Sequence, residues 1–190
     1  MQIRTTRTFL SAAALILVST GLGRAVSSSP GADTPPAAER VQRGGYLVGA
    51  MGCNDCHTPW KLGPQGPEPD MSRALSGHPA DFVVPPPPRP SDAWTWSGAA
   101  TNTAFAGPWG ISFAANLTPD KATGLGDWTY AQFSQTMRQG KHLGIGRDLL
   151  PPMPWMSVAV LNDTDMRALF AYLRSIKPIA NRVPAPIPPK

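Results

Sequence analysis

The sequence predicts an all-α domain that carries a long proline-rich loop insertion. Two stretches repeat apolar residues at the helical period, one at Tyr130, Phe133 and Met137 and the other at 166, 169, 170 and 173. Between residues 59 and 90, by contrast, the chain has ten of its 23 prolines and no periodic apolar pattern, which predicts an extended loop. No internal repeat is found, so a single folded domain over 39–177 is expected.

The first 25 residues have the three-part layout of a secretory signal peptide. Two arginines precede an apolar run over 9–18 that is too short to span a bilayer, and small residues follow up to Ala25. We therefore expect cleavage after Ala25 and export to the periplasm, with an uncleaved membrane anchor as the alternative. Residues 26–38 are small, polar and proline-containing, which is typical of a flexible linker.

The charge balance does not favour nucleic-acid binding. The chain has 17 basic and 12 acidic residues, but three of the arginines precede the predicted cleavage site. The exported chain would then have 14 basic against 12 acidic side chains, and binding to nucleic acid needs clustered lysine and arginine. Local charge that recognises a redox partner protein is still compatible with this balance.

A first helix is predicted from Glu39 to Met51, although three glycines lower its intrinsic stability by roughly 1 kcal/mol each relative to alanine. The insertion follows over 59–113. Its second half contains an aromatic cluster that we expect to cover a bound cofactor: Trp94, Trp96, Phe105, Trp109 and Phe113.

Two further helices are predicted in the second half of the chain. Asp127 is the expected cap of the first of them, and Gly140 is its expected end. The last helix should begin near Asn162 or Asp163 and stop at Lys177-Pro178. Residues 178–190 include five prolines and are expected to lie extended on the surface or to fray.

Both cysteines of the chain lie in the pentapeptide Cys53-Asn54-Asp55-Cys56-His57, whose spacing is typical of covalent haem attachment. Two thiols three residues apart can both reach one edge of a porphyrin and form thioethers with its vinyl groups. His57 then supplies an imidazole nitrogen to the iron as its proximal ligand. The sequence predicts one covalent haem c, bound through Cys53, Cys56 and His57.

Three other chemistries use similar residues. A redox-active Cys-x-x-Cys site favours a βαβ context, and the flanks of this motif show no strand pattern. A disulfide between Cys53 and Cys56 would close a very small loop and stabilise little. A zinc site would need a second pair of ligands, which the sequence lacks.

The layout resembles the class I c-type cytochromes, in which an N-terminal helix leads into the haem motif and a C-terminal helix packs across it. The resemblance implies that Gly45 lies where those two helices cross, with Tyr172 as its aromatic partner. Within that family, several segments resemble the monohaem domains in cytochrome c subunits of bacterial alcohol and sugar-acid dehydrogenases: 116–120 (NLTPD), 123–128 (TGLGDW), 153–155 (MPW) and 171–173 (AYL).

The resemblance also implies that a methionine before the last helix is the sixth iron ligand. Met153 is our choice, because the prolines on both sides of it restrict the loop and limit the entropy lost when its sulfur is fixed. Met156 is the main alternative in the same loop. His78 or His142 could instead give bis-histidine ligation, but both lie among glycines and prolines in predicted surface loops.

Four other residues are weaker candidates for contacts with the propionates or the ligand loop: Asn116, Thr118, Trp128 and Arg147. Histidine and methionine ligation favours electron carriage over catalysis, because the sixth site is filled and the neutral sulfur favours ferrous iron. We therefore expect a non-catalytic, exported electron carrier whose partners are a dehydrogenase, another cytochrome or a terminal oxidase. The alternatives are a dedicated subunit of a dehydrogenase complex, and a haem sensor or enzyme with an open sixth site.

Overall fold

A computed structural model describes residues 37–86 and 94–189. The predicted leader (1–25) and the predicted linker up to residue 36 lie outside this part, as does the end of the proline run at 85–88. The described residues form five α-helices: α1 Ala37–Ala50, α2 Cys53–His57, α3 Tyr130–Gln139, α4 Trp155–Ala159 and α5 Asp163–Ser175. They also form five strands: β1 Trp60–Gly63, β2 Gly66–Pro69, β3 Ser97–Gly98, β4 Ala104–Gly107 and β5 Gly110–Phe113.

The prediction of an all-α fold is wrong. Strands β1 and β2 pair antiparallel, and β3, β4 and β5 form a second antiparallel sheet in that order. All five strands lie within the insertion at 59–113, and β1 and β2 lie in its part 59–90, for which the proline content predicted an extended loop. The helical prediction holds for the segments on either side of the insertion.

Both hairpins of the insertion turn on the same four-residue pattern. Gly63-Pro64-Gln65-Gly66 joins β1 to β2, and Gly107-Pro108-Trp109-Gly110 joins β4 to β5. Proline is favoured at the second position of a β-turn and glycine at the fourth, because proline presets φ and glycine tolerates positive φ. Gly66 and Gly110 have φ of 117° and 90°, so each pattern reverses the chain after a short strand.

Helices α1 and α5 cross at a contact that leaves no room for side chains on α1. A Cβ atom at Gly44 would lie 2.0 Å from the Ala168 carbonyl oxygen, and one at Gly45 would lie 2.9 Å from the Tyr172 ring. This confirms the predicted approach of Gly45 to Tyr172 and adds Gly44 as the tighter of the two positions. A bidentate ion pair from Arg43 to Asp165 joins the same two helices.

The ends of α3 and α5 follow ordinary capping chemistry. Thr129, not Asp127, caps α3: its hydroxyl accepts a bond from the Gln132 N–H, and Gln132 closes a capping box. Asp127 lies too early in the chain, since the helix begins only at Tyr130. Gly140 ends α3 in the left-handed conformation, as predicted. Helix α5 begins at Asp163, one of the two predicted starts, and the Asn162 side chain caps it.

One hydrophobic core joins α1, α3 and α5. Its buried members include Val48, Phe133, Met166, Leu169 and Leu173. Met137 and Met166, predicted as apolar helix positions, are both buried in it. Within 37–86 and 94–189, none of the helices is long and apolar enough to cross a membrane.

His78 is fully buried, in contrast to its predicted place in a surface loop. Its ring lies 2.8 Å from the Thr103 hydroxyl through Nδ1, and Nε2 donates to the Phe82 carbonyl at 3.0 Å. The Phe113 ring packs against it at 4.8 Å. His78 therefore joins the segment after the first hairpin to the three-stranded sheet, a long-range contact that local composition does not reveal.

Burial lowers the pKa of His78, and this makes stability depend on pH. As pH falls below about 6.5, the unfolded chain takes up a proton that the folded protein refuses, so folding stability decreases. We expect the unfolding midpoint in guanidinium to drop as the pH is lowered from 7 to 5. His78→Asn should reduce that slope, whereas His142→Asn, at an exposed site, should change it less; equal slopes in wild type and His78→Asn would contradict the assignment.

The segment beyond α5 is extended, as predicted, but it is tied down. Ile187 and Ile111 exchange two backbone hydrogen bonds of 2.8 and 2.9 Å, which places the tail beside β5. Asn181 is 5% exposed and its side chain bonds to backbone groups at 76, 78 and 80. Over 178–189, hydrogen bonds to the rest of the domain replace the predicted fraying.

Candidate haem site

The predicted attachment motif forms the single-turn helix α2. Gly52 precedes it in the left-handed conformation with φ of 66°, and a Cβ atom there would lie 2.7 Å from an Asp55 carboxylate oxygen. Cys53 and Cys56 are three residues apart on this turn, so both thiols lie on one side of it. Both are half-buried and free of disulfides.

Burial raises the pKa of the Cys53 thiol to about 11, and the pKa of Cys56 is raised for the same reason. Both groups are therefore thiols at neutral pH. Redox-active Cys-x-x-Cys sites depend on a lowered pKa, because the thiolate is the attacking species. The environment of these two cysteines disfavours the thioredoxin-type alternative.

The His57 imidazole is buried and held in one orientation. Nδ1 lies 2.8 Å from the Ala115 carbonyl oxygen, and because a carbonyl only accepts, Nδ1 is the protonated nitrogen. Nε2 then has the lone pair that a metal ligand needs. Burial lowers the pKa of His57, against the opposing effect of the Ala115 bond, and so favours the neutral imidazole that binds metals.

The loop with the predicted sixth ligand is anchored at two points. The Leu149 N–H donates to the Gly140 carbonyl at 2.7 Å, and the Ser112 hydroxyl donates to the Pro151 carbonyl at 2.6 Å. Met153 is partly buried and packs against the same hydrophobic core as Cys53. Met156 is 58% exposed, so the structure separates the two methionines by burial.

The two histidines weighed as alternative ligands have other surroundings. Both ring nitrogens of His78 have protein partners, Thr103 and Phe82, and the ring is fully buried. His142 is exposed, and its ring meets the edge of Trp128 at a centroid distance of 5.3 Å. His78 would have to give up a hydrogen bond to bind iron.

The four weaker candidates have different roles. Asn116 and Thr118 are buried and bond to each other and to the Ile179 backbone. Trp128 packs on the core, and Arg147 is exposed with a bond to the Asp148 carbonyl at 3.2 Å. Asn116 and Thr118 therefore have structural partners within the protein.

The aromatic cluster of the insertion does not form one cover. Phe105 is buried in the sheet and Phe113 packs on His78, whereas Trp94 and Trp96 are 72% and 48% exposed. Trp109 lies over Gly107, where a Cβ atom would be 2.6 Å from the indole ring. At least part of the cluster stabilises the sheet of the insertion.

Three groups that hold α2 were not predicted from the sequence. The Ala115 carbonyl binds His57, the Asn102 amide donates to the Asp55 carbonyl at 2.7 Å, and the Thr58 hydroxyl donates to Asn54 and accepts from the Leu75 N–H, both at 2.9 Å. A backbone carbonyl can belong to any residue, so no sequence signal could have identified Ala115. Thr58 directly follows the motif, and its full burial is the property that sequence did not reveal.

These donors fit a covalently held haem. Two neighbouring thiols on one turn suit thioether formation, and a neutral, oriented imidazole in the next position suits an iron ligand. Met153 adds a thioether on a restrained loop against the same core as Cys53. A thioether and an imidazole are the ligand pair that the iron of c-type cytochromes takes.

Comparison with known proteins finds relatives that are subunits of bacterial dehydrogenases, several of them named as cytochrome subunits. The chain is 32% identical over 80% of its length to a nicotinate dehydrogenase subunit of Pseudomonas putida, and 31% identical over 90% to the fructose dehydrogenase cytochrome subunit of Gluconobacter japonicus. It is 43% identical over 40% of its length to the gluconate 2-dehydrogenase cytochrome c subunit of Pantoea cypripedii. These matches cover only 10%, 29% and 17% of the respective relatives. No family model matches the chain.

The helical frame, the Cys-x-x-Cys-His turn and these relatives together indicate the class of protein that the chain resembles, which is the c-type cytochromes. Within that class it is similar to cytochrome c subunits of bacterial dehydrogenases, as the motifs at 116–128 and 153–155 predicted. The chain spans less than a third of the length of each of these relatives.

Proposed function

We propose that this chain is an exported monohaem cytochrome c that accepts single electrons from a dehydrogenase and passes them on. Cys53 and Cys56 would hold the haem, with His57 and Met153 as its axial ligands. The observation that supports this most strongly is the orientation of His57, whose Nδ1 is committed to the Ala115 carbonyl while Nε2 has its lone pair available. The bound haem would supply one-electron exchange between ferrous and ferric iron.

The residues of the chain supply attachment, orientation and tuning. Thioether bonds to Cys53 and Cys56 prevent loss of the cofactor, and the Ala115 carbonyl keeps the His57 ring from turning. A thioether ligand from Met153 favours the ferrous state relative to a second imidazole. If His57 and Met153 both bound the iron, ligands such as dioxygen would have no vacant position, and this would separate a carrier from a haem sensor or enzyme.

A dehydrogenase is the proposed electron donor because of the similarity to dehydrogenase subunits. Three relatives are named for dehydrogenases of nicotinate, fructose and gluconate, and three further relatives are subunits of quinone-type alcohol dehydrogenases. One kind of haem domain thus accompanies several substrates. We infer that the oxidised substrate is a property of the donor protein, and that this domain contributes only electron transfer.

Covalent attachment is the first test. The full chain, matured in a host that has the haem-attachment machinery, should gain the mass of one haem, and this haem should survive acid-acetone extraction. Thiol titration of the denatured protein should find no free cysteine, because both thiols would be consumed in thioethers. Cys53→Ser and Cys56→Ser should each leave one thioether, and extractable haem in the wild type would refute the proposal.

Carbon monoxide binding distinguishes the carrier from the open-site alternative. The reduced wild-type protein should bind carbon monoxide slowly or not at all, because the Met153 sulfur would have to leave the iron first. Rapid binding at low carbon monoxide concentration would favour a sensor or enzyme. Copurification of the chain with a dehydrogenase would support the dedicated-subunit form of the proposal over a freely diffusing carrier.

A further inference from the structure

The tail that follows α5 forms hydrogen bonds to two segments that flank Ala115, the residue whose carbonyl orients His57. We propose that Asn181 is a positioning residue for the haem: through the segments it binds, it holds the Ala115 carbonyl against His57 and thereby sets the reduction potential. The inference rests on the proposed function, in which His57 is an iron ligand.

Asn181 is buried, and its side-chain amide forms three hydrogen bonds to the backbone. It is 5% exposed, its Oδ1 accepts from the Ala80 N–H at 2.9 Å, and its Nδ2 donates to the carbonyls of Ser76 at 2.7 Å and His78 at 2.9 Å. An asparagine side chain offers two donor hydrogens and one carbonyl oxygen, and each has a partner here. These three bonds fix the backbone of segment 76–80 to the tail.

Segment 76–80 lies directly against the backbone of Ala115. The Gly77 N–H donates to the His57 carbonyl at 2.8 Å, and the His78 N–H donates to the Ala114 carbonyl at 2.9 Å. A Cβ atom at Gly77 would lie 2.6 Å from the Ala115 carbonyl carbon, so the two backbones are in contact. Movement of segment 76–80 would therefore be transmitted to both partners of the His57–Ala115 bond.

The same tail also holds the residue that follows Ala115. The Asn116 amide donates to the Ile179 carbonyl at 2.8 Å and lies 3.4 Å from the Asn181 carbonyl. Thr118 completes this attachment: its hydroxyl donates to Asn116 Oδ1 at 2.7 Å and accepts from the Ile179 N–H at 3.1 Å. Ala115 is thus restrained through Asn181 from one side and through Asn116 and Thr118 from the other.

The restraint has a chemical consequence for an iron ligand. A carbonyl held at 2.8 Å from Nδ1 withdraws the ring proton and increases the electron density on the imidazole. A more electron-rich imidazole favours ferric iron, so the restrained Ala115 carbonyl lowers the potential. If the bonds of Asn181, Asn116 or Thr118 are weakened, the His57–Ala115 hydrogen bond should lengthen and the reduction potential should rise.

The test compares reduction potentials of the full, haem-loaded chain. Asn181→Ala should raise the midpoint potential. The expected shift corresponds to roughly a three- to tenfold change in the ferrous-to-ferric ratio. A tenfold change in that ratio is about 59 mV for a one-electron couple. The Nδ1 proton of His57, followed by NMR in the reduced protein, should exchange faster with solvent. The matched control is Asn162→Ala, which removes the cap at the start of α5, the end of that helix opposite to the tail, and should lower stability without changing either readout.

Thr118→Val provides a second route if Asn181→Ala does not accumulate. Valine keeps the shape of threonine but loses the hydroxyl bonds to Asn116 and Ile179, so the potential should again rise and the proton should again exchange faster. Wild-type values of both readouts in the folded variants would overturn the positioning role, as would an equal shift in Asn162→Ala. Failure of the proposed function is separate: the wild type itself would then lack a covalent, six-coordinate haem.

Discussion

Replacing Met153 by alanine is expected to abolish the weak far-red charge-transfer band that a thioether–iron bond gives in the oxidised protein. The physical reason is the loss of the thioether sulfur that would bind the iron from Met153, a residue that packs against the same core as Cys53. The potential should fall on the order of a tenth of a volt or more, since axial ligands set haem potentials over about 0.8 V. Carbon monoxide and cyanide should then bind readily, and optical titration measures all three effects.

Met156→Ala is the matched control. Met156 lies three residues further along and is 58% exposed, so its removal should leave the band and the potential in place. The stability cost should be at the low end of about 0.5–3 kcal/mol, because little buried surface is lost. If Met156→Ala removes the band and Met153→Ala preserves it, the ligand assignment is wrong by three residues; if the wild type lacks the band, the sixth ligand is not methionine.

Gly44→Ala is expected to have the largest effect on folding. Its new Cβ would lie 2.0 Å from the Ala168 carbonyl oxygen and 2.6 Å from Tyr172 Cβ, and neither backbone nor Cβ atoms can rotate away. Helices α1 and α5 would have to separate, at a cost at or above the usual overpacking range of about 1–3 kcal/mol. Guanidinium unfolding of the haem-loaded protein should show a strongly lowered midpoint, or the variant should fail to accumulate.

Gly49→Ala, five residues along the same helix, should have the opposite sign. A Cβ atom there meets nothing within 4 Å in the described part of the chain, so alanine adds only its higher helix propensity and should stabilise by about 0.5–1 kcal/mol. Gly45→Ala should lie between the two, because the tip of the Tyr172 ring can move aside. Similar midpoints for Gly44→Ala and Gly49→Ala would show that the helix crossing tolerates a side chain.

The helices and the motif were predictable because their signals are local. The apolar stripes of α3 and α5 repeat within single helices, Gly140 and Asn162 act within one turn, and the five residues of the haem motif are contiguous. The prediction for the insertion is wrong because a high density of prolines does not by itself indicate an extended chain. The repeated Gly-Pro-x-Gly pattern at 63–66 and 107–110 was the signal for its hairpins.

The sequence alone indicates the class of this protein. The signals are the haem-attachment motif at 53–57, Met153 between two prolines, and the pair Gly45 and Tyr172. The groups that surround the motif depend instead on how the chain folds. The hydrogen bond between His57 and the Ala115 carbonyl joins residues 58 positions apart. The bond of His78 to Thr103 spans 25 positions, and that of Asn181 to Ser76 spans more than 100. Such bonds form only when folding brings distant segments together and excludes water. Their backbone partners can belong to any residue type, so no local sequence pattern predicts them.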